Sequence, residues 1–306
     1  MKSYLYFIQR GIFALVFLGF SFEVLAQPSF SNGLLWEITP SGSTIRSYLY
    51  GTIHVRDEKV FAYSDSVTIC FNQATYFASE VVMNSSTSRA MAKKIFLPNN
   101  TSLKQLIGEV YYKNLKKYFK ENKFGAYNLM INRMKPIWVA GLVSQATIPK
   151  DKGVILDLYF QKLAIKQNKK LHSLELIDQQ LEAIDSLSID LQIDILKKTI
   201  DDFSIKNSPS SDTFTYESLL SAYLSQDLTQ IETIINSDTT DFAMKFIDNL
   251  LSKRNYRMLD RINELCSQVP TFIAVGAAHL PGQQGLLNLL FQKGYLVRPI
   301  FSPFKK

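Results

Sequence analysis

Two short apolar runs of strand type, one near each end of the chain, close in the same way and restrict the architecture more than any other feature. Ile45–Tyr50 runs into Gly51-Thr52-Ile53-His54, and Thr271–Val275 runs into Gly276-Ala277-Ala278-His279. β-Branched and aromatic residues suit a buried, pleated strand. A glycine at the strand's end permits either φ > 0 or a close backbone approach. The histidine three residues on then stands at the edge where open α/β sheets bind ligands. The chain has three histidines, and two of them occupy this repeated setting. A single Gly-x-x-His arises often by chance and ordinarily marks a capping or core histidine. Two in matching strand–turn contexts point instead to metal or catalytic use.

The segments between and around these runs predict the rest of the fold. Leu34–Ile38 and Ile45–Tyr50 flank Pro40-Ser41-Gly42-Ser43, a turn signal for a hairpin. Helical spacing covers Val67–Ala74, and Tyr76–Val82 is a β-rich run with Glu80 inside it, on the face of Ala78 and Val82. From about Ser85 onward apolar residues recur at three- and four-residue steps, as in Leu103, Leu106, Ile107, Val110 and Tyr111. The same periodicity marks Tyr127–Val143, Val154–Ile165, Ile177–Ile200, Tyr216–Ile235 and Thr240–Leu265. One strand, Lys170–Glu175, interrupts it, and 205–213 reads as a loop. Strand character returns at Thr271–Gly276 and Tyr295–Phe301, around a helix at Gly285–Lys293. An α/β fold, α+β-like in its segregation, is therefore expected. A central mixed sheet would be built from 34–82 and 270–301, and a large helical insertion, 85–265, would cover it within a single domain, 27–306.

Composition narrows the function classes. With 46% hydrophobic and 20% charged residues over 306 positions, the chain can bury a sizeable core and is no candidate for extensive disorder. Residues 1–26 read as a signal peptide: Lys2 and Arg10, then the apolar Gly11–Phe20, then Val24-Leu25-Ala26 before the cleavage site. The protein is thus expected to be exported, periplasmic or secreted, touching a membrane only through an uncleaved signal. The formal charge of +7 is scattered rather than gathered into a basic stripe, which argues against nucleic acid as a partner. Cys70 and Cys266 fit either a disulfide or two buried thiols.

Imidazoles bind first-row divalent metals as neutral donors, and a catalytic site usually adds a carboxylate. Glu80 is the best such carboxylate, because burial obliges it to find a cation or several donors. Its alternative partner is an arginine such as Arg254. Asp57, three residues after His54, is a candidate to orient that imidazole. Glu175 at a strand end, Asp157 in an apolar helical pattern and Arg254-Asn255 within another helix are polar groups in costly places. His172 reads as structural. Gly-x-Ser-x-Gly, His-Glu-x-x-His and a P-loop are absent.

At these residues the chain resembles the TraB/GumN family, the group that includes the Tiki proteases acting on Wnt. The landmarks are Leu35-Trp36, Tyr48–His54, Glu80, Lys135-Pro136, Gly153 with Asp157, Leu174-Glu175 with Gln180, Asp185–Leu187, Arg254-Asn255 and Val275–Gly282. The resemblance implies an erythromycin-esterase-like core and a metal site of His54, His279 and Glu80. Manganese or cobalt is preferred in the Tiki members, and zinc fits the same donors. Asp157, Glu175 and Arg254 are typical polar positions of the family. Arg56 is a departure, since many members have glycine soon after the first histidine. The leading expectation is a metal-dependent hydrolase acting on a peptide or protein, with Glu175 or Asp157 as general base, Arg254 at the oxyanion, and Gly51 and Gly276 as turn glycines. Asn255 would stand behind the ligands. The rivals are a non-enzymatic peptide-binding protein, in which Glu80 pairs with Arg254, and a metal-free esterase.

Overall fold

Ser47–Thr52 (β2) is buried at every position, and Thr271–Gly276 (β5) at all but its last. Runs buried on both faces belong at the centre of a sheet covered on both sides. In the computed structural model, which describes residues 30–98, 101–122, 124–125, 127–145, 148–204 and 215–305, the two strands lie side by side and parallel, Thr52 opposite Gly276. With Leu35–Thr39 (β1), Tyr76–Ser79 (β3), Lys170–Ser173 (β4) and Leu296–Pro299 (β6) they form a mixed sheet in the order β4-β3-β5-β2-β1-β6. The β2–β5, β5–β3 and β3–β4 pairs are parallel, and β1 runs antiparallel to both β2 and β6. The expected α/β architecture with a central mixed sheet is the one observed. The predicted signal peptide and the loop at 205–213 lie outside the described residues.

Aromatic packing seals the sheet against the helices Asp65–Gln73 and Leu156–Lys166. Phe71, Phe160 and Phe272 meet with ring centroids 5.2–5.5 Å apart, and Tyr50 stands edge-on to Phe160 at 5.7 Å. Such contacts add about 0.5–1.5 kcal/mol each beyond area burial. A second apolar cluster, including Leu103, Leu115, Phe119, Val139 and Leu196, fills the helical segment. Among the described residues no helix is long and apolar enough to cross a membrane.

The periodic stretches are helical, but several break. Ile177–Ile200 divides into Ile177–Asp185 and Ile189–Ser204, and Tyr216–Ile235 into Tyr216–Leu224 and Leu228–Ile235. Thr240–Leu265 contains a π-helical turn, Asp248–Ser252, between Asp241–Ile247 and Lys253–Cys266. Cys70 and Cys266 are free buried thiols, pushed by burial up to about 11 and about 12.

Neither turn glycine uses its φ freedom; close approach is what both require. A Cβ on Gly51 would stand 2.8 Å from Leu280 Cδ1, 3.1 Å from Leu34 Cδ2 and 3.2 Å from the Ala277 backbone. On Gly276 it would stand 3.3 Å from Glu80 Oε1. Gly51→Ala should therefore overpack this junction and destabilise the fold by about 1–3 kcal/mol. Urea unfolding would register it as a lowered midpoint at unchanged m.

Candidate active site

Four parallel strands end at one edge of the sheet, and each delivers one ionisable side chain just past its last residue. In spatial order β4, β3, β5 and β2 lead to Glu175, Glu80, His279 and His54. Level registers, Ser173 opposite Ser79, Ser79 opposite Ala274 and Gly276 opposite Thr52, keep the four together. The carboxyl edge of parallel strands is where α/β folds bind ligands. Sequence places Glu80 inside a strand and Glu175 at the end of one, but β3 stops at Ser79 and β4 at Ser173, so both lie just beyond. Backbone bonds continue beyond, from Leu174 N to Ser79 O (2.9 Å) and Glu175 N to Glu80 O (3.0 Å), and align the two carboxylates.

Arg254 stands between these acids. Its Nε donates to Glu175 Oε1 and Oε2 at 2.9 and 3.1 Å, its Nη2 to Glu80 Oε2 at 2.6 Å and also to Glu175 Oε1, and its Nη1 to Leu250 O at 3.0 Å. Leu250 belongs to the π-helical turn, a departure from α geometry often found at functional sites. All three side chains are nearly closed to solvent, at 7% for Arg254, 7% for Glu80 and 0% for Glu175. Glu80 Oε2 also accepts from the Gln180 amide (2.9 Å), and Oε1 from Gly276 N (2.8 Å). Burial alone would raise Glu80, but His279, His54, Arg254 and the Gly276 N–H outweigh it and hold the carboxyl well below the usual range. Burial instead keeps Glu175 raised, despite Arg254. With both oxygens committed to Arg254, Glu175 is not placed to act as a general base. Arg254 has most of its five donors engaged, so it organises the carboxylates rather than waiting for an oxyanion.

Asn255 fixes His279. Its Nδ2 donates to Gln284 O (2.7 Å) and faces His279 O (3.4 Å), so its Oδ1 turns to His279 Nδ1 at 2.7 Å. Nδ1 therefore carries the proton and Nε2 the lone pair. That Nε2 faces Glu80 Oε1 at 3.7 Å. Burial pushes His279 down to about 4 against the opposing attraction of Glu80, with Arg254 and His54 adding to the fall. The folded-state value lies below the unfolded value of about 6.5, so between about 4 and 6.5 the unfolded chain binds more protons. Stability should rise with pH through that window and be lost as pH falls toward 4. Replacing His279 with glutamine should flatten this slope in denaturant melts at stepped pH.

His54 lies more open, with a side chain 53% exposed, and its Nε2 stands 3.4 Å from Asp157 Oδ2. Asp157 pushes the imidazole up to about 9 against the opposing effect of burial, and solvent screens part of that attraction. Asp157 lies in the first turn of Leu156–Lys166, where the helix dipole favours a carboxylate. Thr52 Oγ1 donates to its Oδ1 at 2.5 Å, and its buried Oδ2 has no hydrogen-bond partner among the described residues.

Asp57 does not orient His54, the role for which its spacing makes it a candidate. Its carboxylate caps the turn at Glu58–Phe61 through Lys59 N (2.9 Å) and accepts from Tyr216 Oη (2.7 Å). The aspartate beside His54 is Asp157, brought in from another element. His172 packs on Tyr76, ring centroids 4.7 Å apart, outside the cleft. Arg56 does not line the cleft either. A cavity of about 290 Å³ opens between His54, Glu80, Arg254 and His279, walled by Leu219, Tyr223, Ile231 and Ile235. Sequence reasoning missed Tyr223, whose Oη donates to Gly51 O at 3.0 Å, and Thr52. Thr52 sits inside the first Gly-x-x-His and could have been suspected; Tyr223 offered no signal.

The donor chemistry fits a divalent ion: an imidazole with a free lone pair, a second imidazole and the inner oxygen of Glu80, with the Asp157 carboxylate beside the second imidazole. Among the described residues these groups stand as two imidazole–carboxylate pairs. No three or more His, Cys, Asp or Glu side chains form a ready-made metal-holding cluster there.

The sequence profile of the TraB/PrgY/gumN family matches residues 34–299. The chain belongs to that family. It is 25% identical to Metalloprotease TIKI2 of Danio rerio over 87% of its length, and 26% identical to Metalloprotease TIKI1 of Homo sapiens over 93%. To a Metalloprotease TIKI homolog of Nematostella vectensis it is 24% identical over 86%. It spans 60%, 65% and 66% of these relatives' own lengths, less than two thirds. No solved structure matches it. Among family relatives named metalloproteases, a peptidase-like chemistry, a divalent metal and a protein or peptide substrate are the general expectation.

Proposed function

We propose that this family member is an exported metal-dependent peptidase whose cleft lies between the two Gly-x-x-His turns. The observation that carries this is the facing of His279 Nε2, lone pair outward, and Glu80 Oε1 at 3.7 Å, at the carboxyl ends of adjacent parallel strands. His54, His279 and Glu80 would hold Mn²⁺, Co²⁺ or Zn²⁺, with Asp157 positioning His54. An ion bound there would acidify a water and polarise the scissile carbonyl. Asn255 keeps the His279 lone pair directed at the cleft, and Gly276 N and Arg254 keep Glu80 ionised. The apolar wall of Leu219, Ile231 and Ile235 excludes water from part of the cleft. The protonated His54 must release its proton to become a donor.

The test is peptide turnover by the full chain after chelation and after re-addition of each metal, together with calorimetric metal titration of wild type, His54→Ala and His279→Ala. Turnover should require the metal, and both variants should bind it at least tenfold more weakly. Equal binding by all three would remove the metal assignment. A second reading, capture of a peptide without cleavage, draws support from the Glu80–Arg254 pair at 2.6 Å, which needs no ion. Stoichiometric binding of peptides that stay intact at every metal concentration would favour it.

A further inference from the structure

A second cavity of about 370 Å³ adjoins the cleft and has no task in the chemistry above. The two share Ile235 and Ala278, and Asn255, which orients His279, lines the second. A chain lying over His279 thus has this cavity within reach of a neighbouring side chain. Its lining is mixed, with Asn236, Ser252 and Gln284 as well as the apolar Ile247, Leu251 and Pro281, and Glu232 is the one charged residue among the described lining. Glu232 makes no ion pair among the described residues. Its carboxylate packs on the backbone of Gly282, whose φ is +86°, and a Cβ at that position would stand 2.5 Å from Glu232 Oε1. Glycine there both permits the turn and leaves the carboxylate its place beside the cavity.

A mixed cavity with one uncompensated carboxylate, and with Ile235, Ile247, Leu251 and Pro281 to cover an aliphatic stem, suits a long side chain that carries a cation. We propose that this cavity is a subsite for a lysine or arginine side chain flanking the scissile bond, with Glu232 receiving the positive charge. The assignment rests on the peptide reading of the neighbouring cleft and narrows it to basic sequences.

Binding measured without turnover tests it. Labelled peptides that differ only in lysine or norleucine, with the variable position scanned along the chain, are titrated by fluorescence anisotropy against the full-length protein in chelator. At one position lysine should bind about tenfold more tightly than norleucine. Glu232→Gln should abolish that preference, and Glu232→Lys should transfer it to glutamate. No discriminating position in the wild type, or a preference that survives in Glu232→Gln, overturns the subsite. Selective binding with no hydrolysis under any metal would leave the subsite standing and defeat the peptidase reading; metal-dependent hydrolysis without basic preference would do the reverse.

Discussion

Replacing Arg254 with methionine should destabilise the protein by about 3–5 kcal/mol, the cost of removing one partner from a buried ion pair. Methionine keeps the aliphatic bulk but removes every donor, leaving Glu80 and Glu175 side by side with little solvent to screen them. Gly276 N and the Gln180 amide still serve Glu80, but Glu175 loses the partner that binds both of its oxygens. The unfolding midpoint in urea should drop accordingly. Adding Glu80→Gln and Glu175→Gln to Arg254→Met should recover much of the loss, because neutral amides at the same positions no longer repel. A cost near zero for Arg254→Met, or no recovery in the triple variant, would mean that the carboxylates are already protonated and that Arg254 is not the group that holds them.

The second large effect concerns rate. His54→Ala should lower peptide turnover by about a thousandfold, since it removes a proposed metal ligand and its lone pair. Asp157→Asn should lower it by about 10–100-fold, the usual range for a group that tunes a ligand. Loss of Asp157 also removes the charge that raises His54, so the pH at which turnover sets in should shift downward in that variant, a change that mere loosening of the helix would not produce. The double variant should be no slower than His54→Ala, because Asp157 acts through His54 at 3.4 Å. Additive losses in the double variant would show that Asp157 has a separate role. His54 is half exposed, so its removal should leave the melting temperature nearly unchanged.

Much of this arrangement could be read from residue order alone. The two strand–glycine–histidine runs fall at the expected edge because their buried β-branched and aromatic residues force them into the sheet centre. Glu80 carried its own signal: a carboxylate in an apolar run must be satisfied. What remained unreadable was pairing. Asp57 stands three residues after His54, a spacing that suggests contact, yet a capping turn takes up Asp57 locally, while Asp157 arrives from a helix packed across the sheet. Helix breaks were equally hidden, since amphipathic spacing persists through the π-helical turn that presents Leu250 O to Arg254. Periodicity records which face is buried, and it says little about where a helix changes pitch to place one carbonyl.

The strand between β3 and β2 follows both of them in the chain, beyond the whole helical segment. Until Gly276 is in place, β2 and β3 have no strand between them and Glu80 lacks its backbone donor. If the peptidase reading holds, a chain that has not yet placed this strand has no complete site with which to cut itself. The catalytic edge is completed in the same event that closes the sheet.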